Sequence, residues 1–228
     1  NSTYAVPAEV DIVRPRTSEF WDNSASWENG KWIYEALVHA HIPMDVLDEE
    51  LLMSEDLKPY KAIYVSGANI RTDVARKLAQ WVEAGGVLYV NGGGLARDEA
   101  DTPLADLQKV LGLKSRKEMD LWGGVHRYGA VGLAGISKEK EVPPDPARVT
   151  GSGFLKGSFA LQVGREVLDP DSKTEVLAKY GDGKPAMTVN AYGKGRAYAV
   201  GFYPGMEYAS DVMKKDFDMS KDFSDEKR

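Results

Sequence analysis

The sequence predicts an α/β domain of three layers with a mainly parallel sheet, and one central stretch carries that prediction. Residues 60–66 and 86–90 are short apolar runs with β-branched members, a pattern typical of buried strands. Between them, apolar residues recur at spacings of three and four, which predicts a helix with one buried face. A crossover of this length joins parallel strands, so the unit predicts a parallel sheet with helices packed against it.

The ends of this central helix follow from the residues that flank it. Thr72 or Asp73 can cap its first turn, because a side-chain oxygen at that position accepts a backbone N–H. Gly85-Gly86 ends it, because glycine adopts the left-handed conformation of a helix terminus without steric cost.

The N-terminal part adds elements that alternate in the same way. They are a strand over residues 10–13, a loop with two large aromatics over 18–24, a helix over about 27–41, a strand over 44–47 and a short helix over 49–53. Arg14-Pro15 ends the first strand, and Asp48 can cap the short helix. Alternation of strands and helices predicts a parallel sheet with helices on both faces.

The C-terminal half shows a different residue pattern, with fewer helix signals and more short strands. Pro103 begins an amphipathic helix that Gly112 closes, and residues 113–165 predict a β-rich insertion. Strands over 175–180, 186–191 and 196–202 follow, joined by glycine-rich turns that favour antiparallel hairpins, with a closing helix over 205–214. We expect one domain over residues 1–215 and a charged tail over 216–228.

Composition excludes several function classes. The 228 residues carry a formal net charge of −6, so no basic field attracts nucleic acid. No apolar stretch approaches the ~20 residues of a membrane span, so no membrane insertion is expected. The chain has no cysteine, which excludes disulfides, thiolate metal sites and a cysteine nucleophile. No motif predicts a cofactor.

Polar and glycine residues follow the two central strands. In open parallel sheets, ligands bind beyond the carboxyl ends of strands. The candidate cleft therefore consists of Ser66, Gly67, Asn69, Asn91, Gly92, Gly93 and Gly94. Its backbone N–H groups can hold an anion or a sugar hydroxyl, or the glycines can simply form a tight turn with positive φ. The tight turn is favoured, because the run matches neither the dinucleotide fingerprint nor the phosphate loop.

Three tryptophans have open roles. Each can stack on a sugar ring, contact another protein surface or belong to the core. They are Trp21, Trp27 and Trp122.

Acidic residues and histidines give weaker candidates. Paired carboxylates among Glu19, Asp22 and Glu28 would suit a hydrolase, although nothing in the sequence sets their separation. The acidic loop over 98–102 lacks the spacing of a calcium loop, and His39 and His41 point in different directions on a helix. We therefore expect no metal site.

Three stretches together resemble the glutamine amidotransferase-like fold, in the form used by the trimerisation domain of bacterial β-galactosidases. They are residues 30–48, residues 57–94 with YKAIYVSGA, WVEAGG and GVLYVNGGG, and residues 183–202, GKPAMTVNAYGKGRAYAVGF. The resemblance implies a flavodoxin-like sheet. In catalytic members a cysteine follows the strand over 86–90, and here Asn91 stands at that position. The family's late His-Glu pair is also missing, since the last histidine is His126.

The resemblance implies a non-catalytic domain for oligomerisation or domain packing in a carbohydrate-related protein. Its partners would be further copies of the chain or other domains of a longer chain, with carbohydrate as a further candidate. Two alternatives stay open: a sugar or small-ligand module using the cleft, and a carboxylate-dependent hydrolase. The first residue is Asn1, and this start together with the resemblance slightly favours an extracytoplasmic location.

Overall fold

The computed structural model describes residues 6–22, 25–117, 120–121, 148–161 and 164–209. Its helices are α1 (Arg16–Asp22), α2 (Ala25–His39), α3 (Glu49–Ser54), α4 (Thr72–Ala84), α5 (Ala105–Leu111) and α6 (residues 204–209). The strands up to the middle of the chain are β1 (Val10–Arg14), β2 (Met44–Asp48), β3 (Ala62–Ser66), β4 (Val87–Asn91), β5 (Leu113–Arg116) and β6 (Asp120–Leu121). The later strands are β7 (Arg148–Gly151), β8 (Gly157–Ala160), β9 (Gly164–Arg165), β10 (Leu168–Pro170), β11 (Glu175–Tyr180), β12 (Pro185–Tyr192) and β13 (Gly195–Val200).

One nine-stranded sheet runs through the described residues, in the order β2-β1-β3-β4-β13-β12-β11-β7-β8. The pairings from β2 to β13 are parallel, and those from β13 to β8 are antiparallel. The prediction of an α/β domain with a large sheet is confirmed, with the correction that the sheet is mixed. The predicted hairpins near the C-terminus are β11, β12 and β13 of the antiparallel half.

Helices cover both faces of the parallel half. On one face α3, α4 and α5 enclose the main hydrophobic core, to which the strands contribute Val13 and Val65. On the other face α2 packs Ile33 and Leu37 against Ile12. Successive strand residues point to opposite faces, so Ile12 and Val13 of one strand serve two separate cores. Each fully buried aliphatic side chain contributes about 1.5–3 kcal/mol relative to exposure.

Three tyrosines form a ladder across the strands that join the two halves of the sheet. Tyr64, Tyr89 and Tyr198 are direct neighbours in register, and their rings stack with centroids 4.8 and 4.5 Å apart. Burial raises the pKa of Tyr89 to about 12. The stack continues into a further core of the antiparallel half, which includes Val200 and Phe202.

The predicted loop over residues 18–24 is wrong for its described part, because Arg16–Asp22 is helical. The amide of Glu19 donates to the carbonyl of Pro15 at 3.0 Å, and the Glu19 carboxylate accepts Arg14 Nε at 2.7 Å. These contacts, with those of Thr17 to Glu49, stabilise a helix too short to show a clear period in sequence.

Three predicted helix termini are confirmed, whereas the predicted starts of α4 and α5 are not. Helix α5 begins at Ala105 and not at Pro103, which lies before its N-cap Leu104. Asp48 caps α3, and Gly85 and Gly112 end α4 and α5 with φ of 131° and 65°. The cap predicted at Thr72 or Asp73 is wrong by one or two positions, because Arg71 precedes α4 and makes no side-chain cap. The Glu99 carboxylate replaces it, accepting the Thr72 amide at 2.8 Å.

The β-rich stretch predicted over 113–165 is partly continuous with the main sheet. Its strands β7 and β8 extend the sheet beyond β11, whereas β5 and β6 pair with β10 and β9 in two small sheets. Residues 122–147, the tail over 216–228 and the later part of the predicted closing helix lie outside the described residues.

Candidate functional site

The carboxyl ends of β3 and β4 lie side by side, as a parallel pair requires. Ser66 and Asn91 are partners in register, and both are buried. The glycine turn follows Asn91 directly, with positive φ at Gly92 and Gly93. The fold therefore brings the seven candidate cleft residues together at the carboxyl ends of these two strands.

The amides of the glycine turn donate to other groups of the chain. Gly92 N–H donates to the Val200 carbonyl at 2.8 Å, and Gly94 N–H donates to the Asn91 carbonyl at 2.9 Å. Gly93 N–H donates to Oε2 of Glu166 at 2.9 Å. A ligand could use these amides only after the present hydrogen bonds open, so ligand binding at the cleft stays a prediction.

Ser66 is bound by a residue of α2. Asn29 Nδ2 donates to Ser66 Oγ at 2.7 Å, and Asn29 Oδ1 accepts the amides of Gly205 and Met206 at 2.8 and 3.3 Å. Asn29 is buried, so its side chain links the end of β3 to the start of α6.

Asn69 organises the acidic loop instead of facing open solvent. Its Nδ2 donates to the Asp98 carbonyl and to Asp101 Oδ1, at 3.1 and 3.0 Å. Its amide donates to Ser18 Oγ at 2.8 Å. Backbone N–H groups at Glu99 itself and at Thr72 lower the pKa of the Glu99 carboxyl. The side chains of this loop thus hold α4 and the cleft in place.

A buried ion pair closes the site from the antiparallel side. The guanidinium of Arg116 contacts both oxygens of Glu166, with Nη2 to Oε2 at 2.9 Å, and its Nη1 donates to the Gly94 carbonyl at 2.6 Å. The two side chains are only 6% and 2% exposed. Sequence reasoning missed both residues, because a pair formed by distant segments leaves no local pattern.

The tryptophan candidates separate into different environments. Trp21 on α1 is 55% exposed beside Phe20, which is 85% exposed. Trp27 is half-buried, packs beside the α2 core and carries the Arg14 guanidinium over its ring at 5.6 Å. Trp122 lies outside the described residues.

A groove of about 210 Å³ lies where α1 meets the carboxyl end of β2. It is lined by Arg16, Thr17, Phe20, Asp48, Glu49, Glu50 and Arg71. The buried Glu49 carboxylate accepts the Thr17 and Arg71 amides at 2.7 and 3.0 Å, so it serves the fold. The groove thus combines one exposed aromatic ring with charges of both signs.

Two of the three candidate hydrolase carboxylates already have cationic partners. Glu19 pairs with Arg14 and Glu28 pairs with Lys31. Among the residues that the structure describes, no group of three or more histidines and carboxylates could hold a metal ion. Nor is any helix in those ranges long and apolar enough to cross a membrane.

These features define a class: an α/β domain whose strand ends are closed by its own polar groups and which presents exposed aromatic residues beside one sheet edge. The family model of the β-galactosidase trimerisation domain matches residues 14–219, and the chain therefore belongs to that family.

Known relatives agree with this placement. The chain is 26% identical over 195 residues to the β-galactosidase BgaA of Planococcus sp. (strain 'SOS Orange'), and the match spans 79% of this chain and 25% of that protein. Two solved structures share the fold. A catalytic mutant of Gan42B, a GH42 β-galactosidase from G. stearothermophilus, has a TM-score of 0.67 at 22% identity over 92% of this chain and 30% of its own. The β-galactosidase from Bacillus circulans sp. alkalophilus has a TM-score of 0.69 at 19% identity over 91% of this chain and 31% of its own.

Proposed function

We propose that this chain is a non-catalytic assembly domain of a carbohydrate-related protein, and that copies of it associate through the edge of the sheet at β2. Family membership supports an oligomerisation role. The chain spans about a quarter of the curated relative it matches, so its partners would also include other domains of a longer chain.

The distribution of exposed apolar side chains carries this proposal. Large exposed hydrophobic residues in the described ranges are concentrated in residues 20–51, with Val6 and Phe159 outside that range. These residues lie on β2 and on the chain segments around it, from α1 to α3, and we call the set the β2-edge surface: Phe20, Trp21, Tyr34, Val38, Ile42, Val46 and Leu51. Concentrated apolar exposure is typical of protein–protein contact sites. Among the described residues β2 is the last strand on that side, and no described strand pairs with its outer edge.

Light scattering of the 228-residue chain over a concentration series tests the proposal. We expect a dimer or trimer, and a shift toward monomer in the double variant F20S/W21S, because aromatic anchors dominate interface energies. Val6→Ser is the matched control, since Val6 is as exposed but lies outside the β2-edge surface. A strict monomer at every concentration would overturn self-association by this chain.

The amidotransferase-like form of the fold is part of the same proposal. The five parallel strands run β2-β1-β3-β4-β13, which corresponds to the flavodoxin-like order when β13 is counted as the fifth. Asn91 stands where the resemblance to catalytic amidotransferases places their nucleophilic cysteine, and it is buried at the end of β4. An amide cannot form the acyl intermediate, which supports a non-catalytic role.

Sugar binding is a second proposal, favoured by the exposure of Trp21. Flat aromatic faces stack on sugar rings, and α1 exposes two of them: Phe20, which lines the polar groove, and Trp21, the next residue. Quenching of tryptophan fluorescence by galactosides in wild type and not in Trp21→Ser would support it. No change at high sugar concentration would exclude it.

A further inference from the structure

The carboxylate of Glu166 contacts the glycine turn after β4 in the way that a bound carboxylate ligand would. Its Oε2 accepts Gly93 N–H at 2.9 Å and Arg116 Nη2 at 2.9 Å, while Oε1 accepts Arg116 Nε. Two parallel N–H···O bonds from a guanidinium are the geometry that proteins use to recognise carboxylates. At 2% exposure, the carboxylate has exchanged water for these donors.

The donors are fixed by contacts that do not involve the carboxylate. Arg116 extends from β5, and its Nη1 donates to the Gly94 carbonyl at 2.6 Å. Gly93 is held by the turn, whose neighbour Gly92 donates to Val200. A Cβ built on Gly92 would lie 2.4 Å from the Tyr203 ring, so the turn packs closely against that ring. The cradle is therefore a preformed part of the fold.

The backbone of Glu166 is tied down separately from its side chain. Its amide donates to the Gly201 carbonyl at 2.6 Å, and its carbonyl accepts Tyr180 OH at 2.8 Å. Shortening the side chain would leave these two bonds in place. The carboxylate can therefore be removed while the segment that carries it stays positioned.

We propose that Gly93 N–H and Arg116 form a carboxylate-binding site, which this chain fills with its own Glu166. The internal carboxylate closes the carboxyl end of β4 to outside anions. An acetate-sized carboxylate is the ligand class that the site accepts when Glu166 is shortened. This inference is independent of how copies of the chain associate.

Thermal unfolding of Glu166→Ala in acetate and in chloride of equal ionic strength tests the proposal. Alanine removes Cγ and the carboxylate, which are the atoms that acetate supplies. Leaving the buried Arg116 without its carboxylate partner should lower Tm by about 6–20 °C. Acetate should restore stability saturably in the millimolar range. At about 100 times its dissociation constant it should recover roughly 5–10 °C, and chloride should not.

Two variants serve as controls. Glu166→Gln keeps the shape and an acceptor for Gly93, so it should show no response to acetate. The double variant R116M/E166A lacks the guanidinium, so it should be more stable than Glu166→Ala and unresponsive. Wild type should also be unresponsive, because the site is filled.

Each outcome decides the proposal. If Glu166→Ala is unfolded without acetate, the titration is followed by circular dichroism, and acetate-dependent folding supports the site. A variant that neither folds nor gains Tm at any acetate concentration overturns it. An equal acetate response in wild type or in R116M/E166A also overturns it, because the effect would then arise elsewhere.

Discussion

The side-chain oxygen of Asn29 lies 2.8 Å from the amide nitrogen of Gly205, and this bond joins α2 to the first turn of α6. The first amides of a helix have no partner within the helix, so an outside acceptor stabilises its start. Here the acceptor comes from a distant helix. The same amide side chain also binds Ser66, so one buried residue connects α2, β3 and α6.

Asn29→Ala should lower the free energy of unfolding by about 2–4 kcal/mol, because the buried amides of Gly205 and Met206 and the Ser66 hydroxyl lose their partner. Hydrogen exchange should accelerate at the amides of Gly205 and Met206. Ser66→Ala is the control, since it removes only the hydroxyl and leaves the α6 bonds intact. Equal exchange in both variants would contradict the capping role.

The titration of Asp11 should make the free energy of unfolding depend on pH. This carboxyl is buried in β1, and its Oδ2 has no hydrogen-bond partner among the described residues. Burial, opposed by the Leu47 amide and reinforced by Asp45, raises its pKa from 3.8 to about 8. The native state therefore holds a proton that the unfolded state releases between these values. Its stabilising contribution is full below pH 3.8 and is lost as the pH rises to about 8.

Asp11→Asn removes this titration while keeping the shape. The difference in unfolding free energy between the variant and wild type should therefore change by roughly 2–5 kcal/mol from pH 4 to pH 9, in favour of the variant at high pH. Urea denaturation across that range measures it. Asp45→Asn should weaken the effect, because it removes a neighbouring negative charge. A pH-independent difference would show that Asp11 is ionised in the fold.

Two glycines should respond to alanine for different reasons. A Cβ at Gly195 would lie 2.1 Å from the Val82 carbonyl oxygen, and backbone cannot move aside cheaply. Gly195→Ala should cost about 3 kcal/mol or more. Gly183 has φ of +83° with nothing within 4 Å of the added atom, so Gly183→Ala should cost only about 1 kcal/mol. Denaturant midpoints compare them, and equal costs would contradict the steric argument.

Val46→Lys should weaken self-association without harming the fold. Val46 belongs to the end strand β2 and is more than a third exposed, so the monomer should change by less than about 0.5 kcal/mol. A lysine on an edge strand opposes pairing with another chain. We expect the dissociation constant, from sedimentation, to rise by about tenfold or more. Val6→Lys should leave it unchanged.

The sequence predicts those helices and strands whose apolar residues recur at a regular spacing. The strands β3 and β4 and helix α4 were evident from their apolar spacing, and the parallel rule then brought Ser66 beside Asn91. The α1 helix was missed, because seven residues held by tertiary contacts show little period. The closure of the cleft by Asn29 and Glu166 leaves no local pattern either, since their bonds to Ser66 and Gly93 span 37 and 73 residues of sequence. Whether a charged residue such as Glu166 becomes buried depends on the assembled fold and cannot be derived from its sequence neighbours.

The place of β13 in the sheet has a consequence for synthesis on the ribosome. Strand β4 pairs with β3 on one side, but its other neighbour is β13, which emerges roughly 100 residues later. Until then a nascent chain carries an apolar strand with an open edge, which is a template for wrong pairing. Shortened chains that end before Gly195 should therefore accumulate as insoluble material, and translation speed through the intervening segment should affect the yield of folded protein.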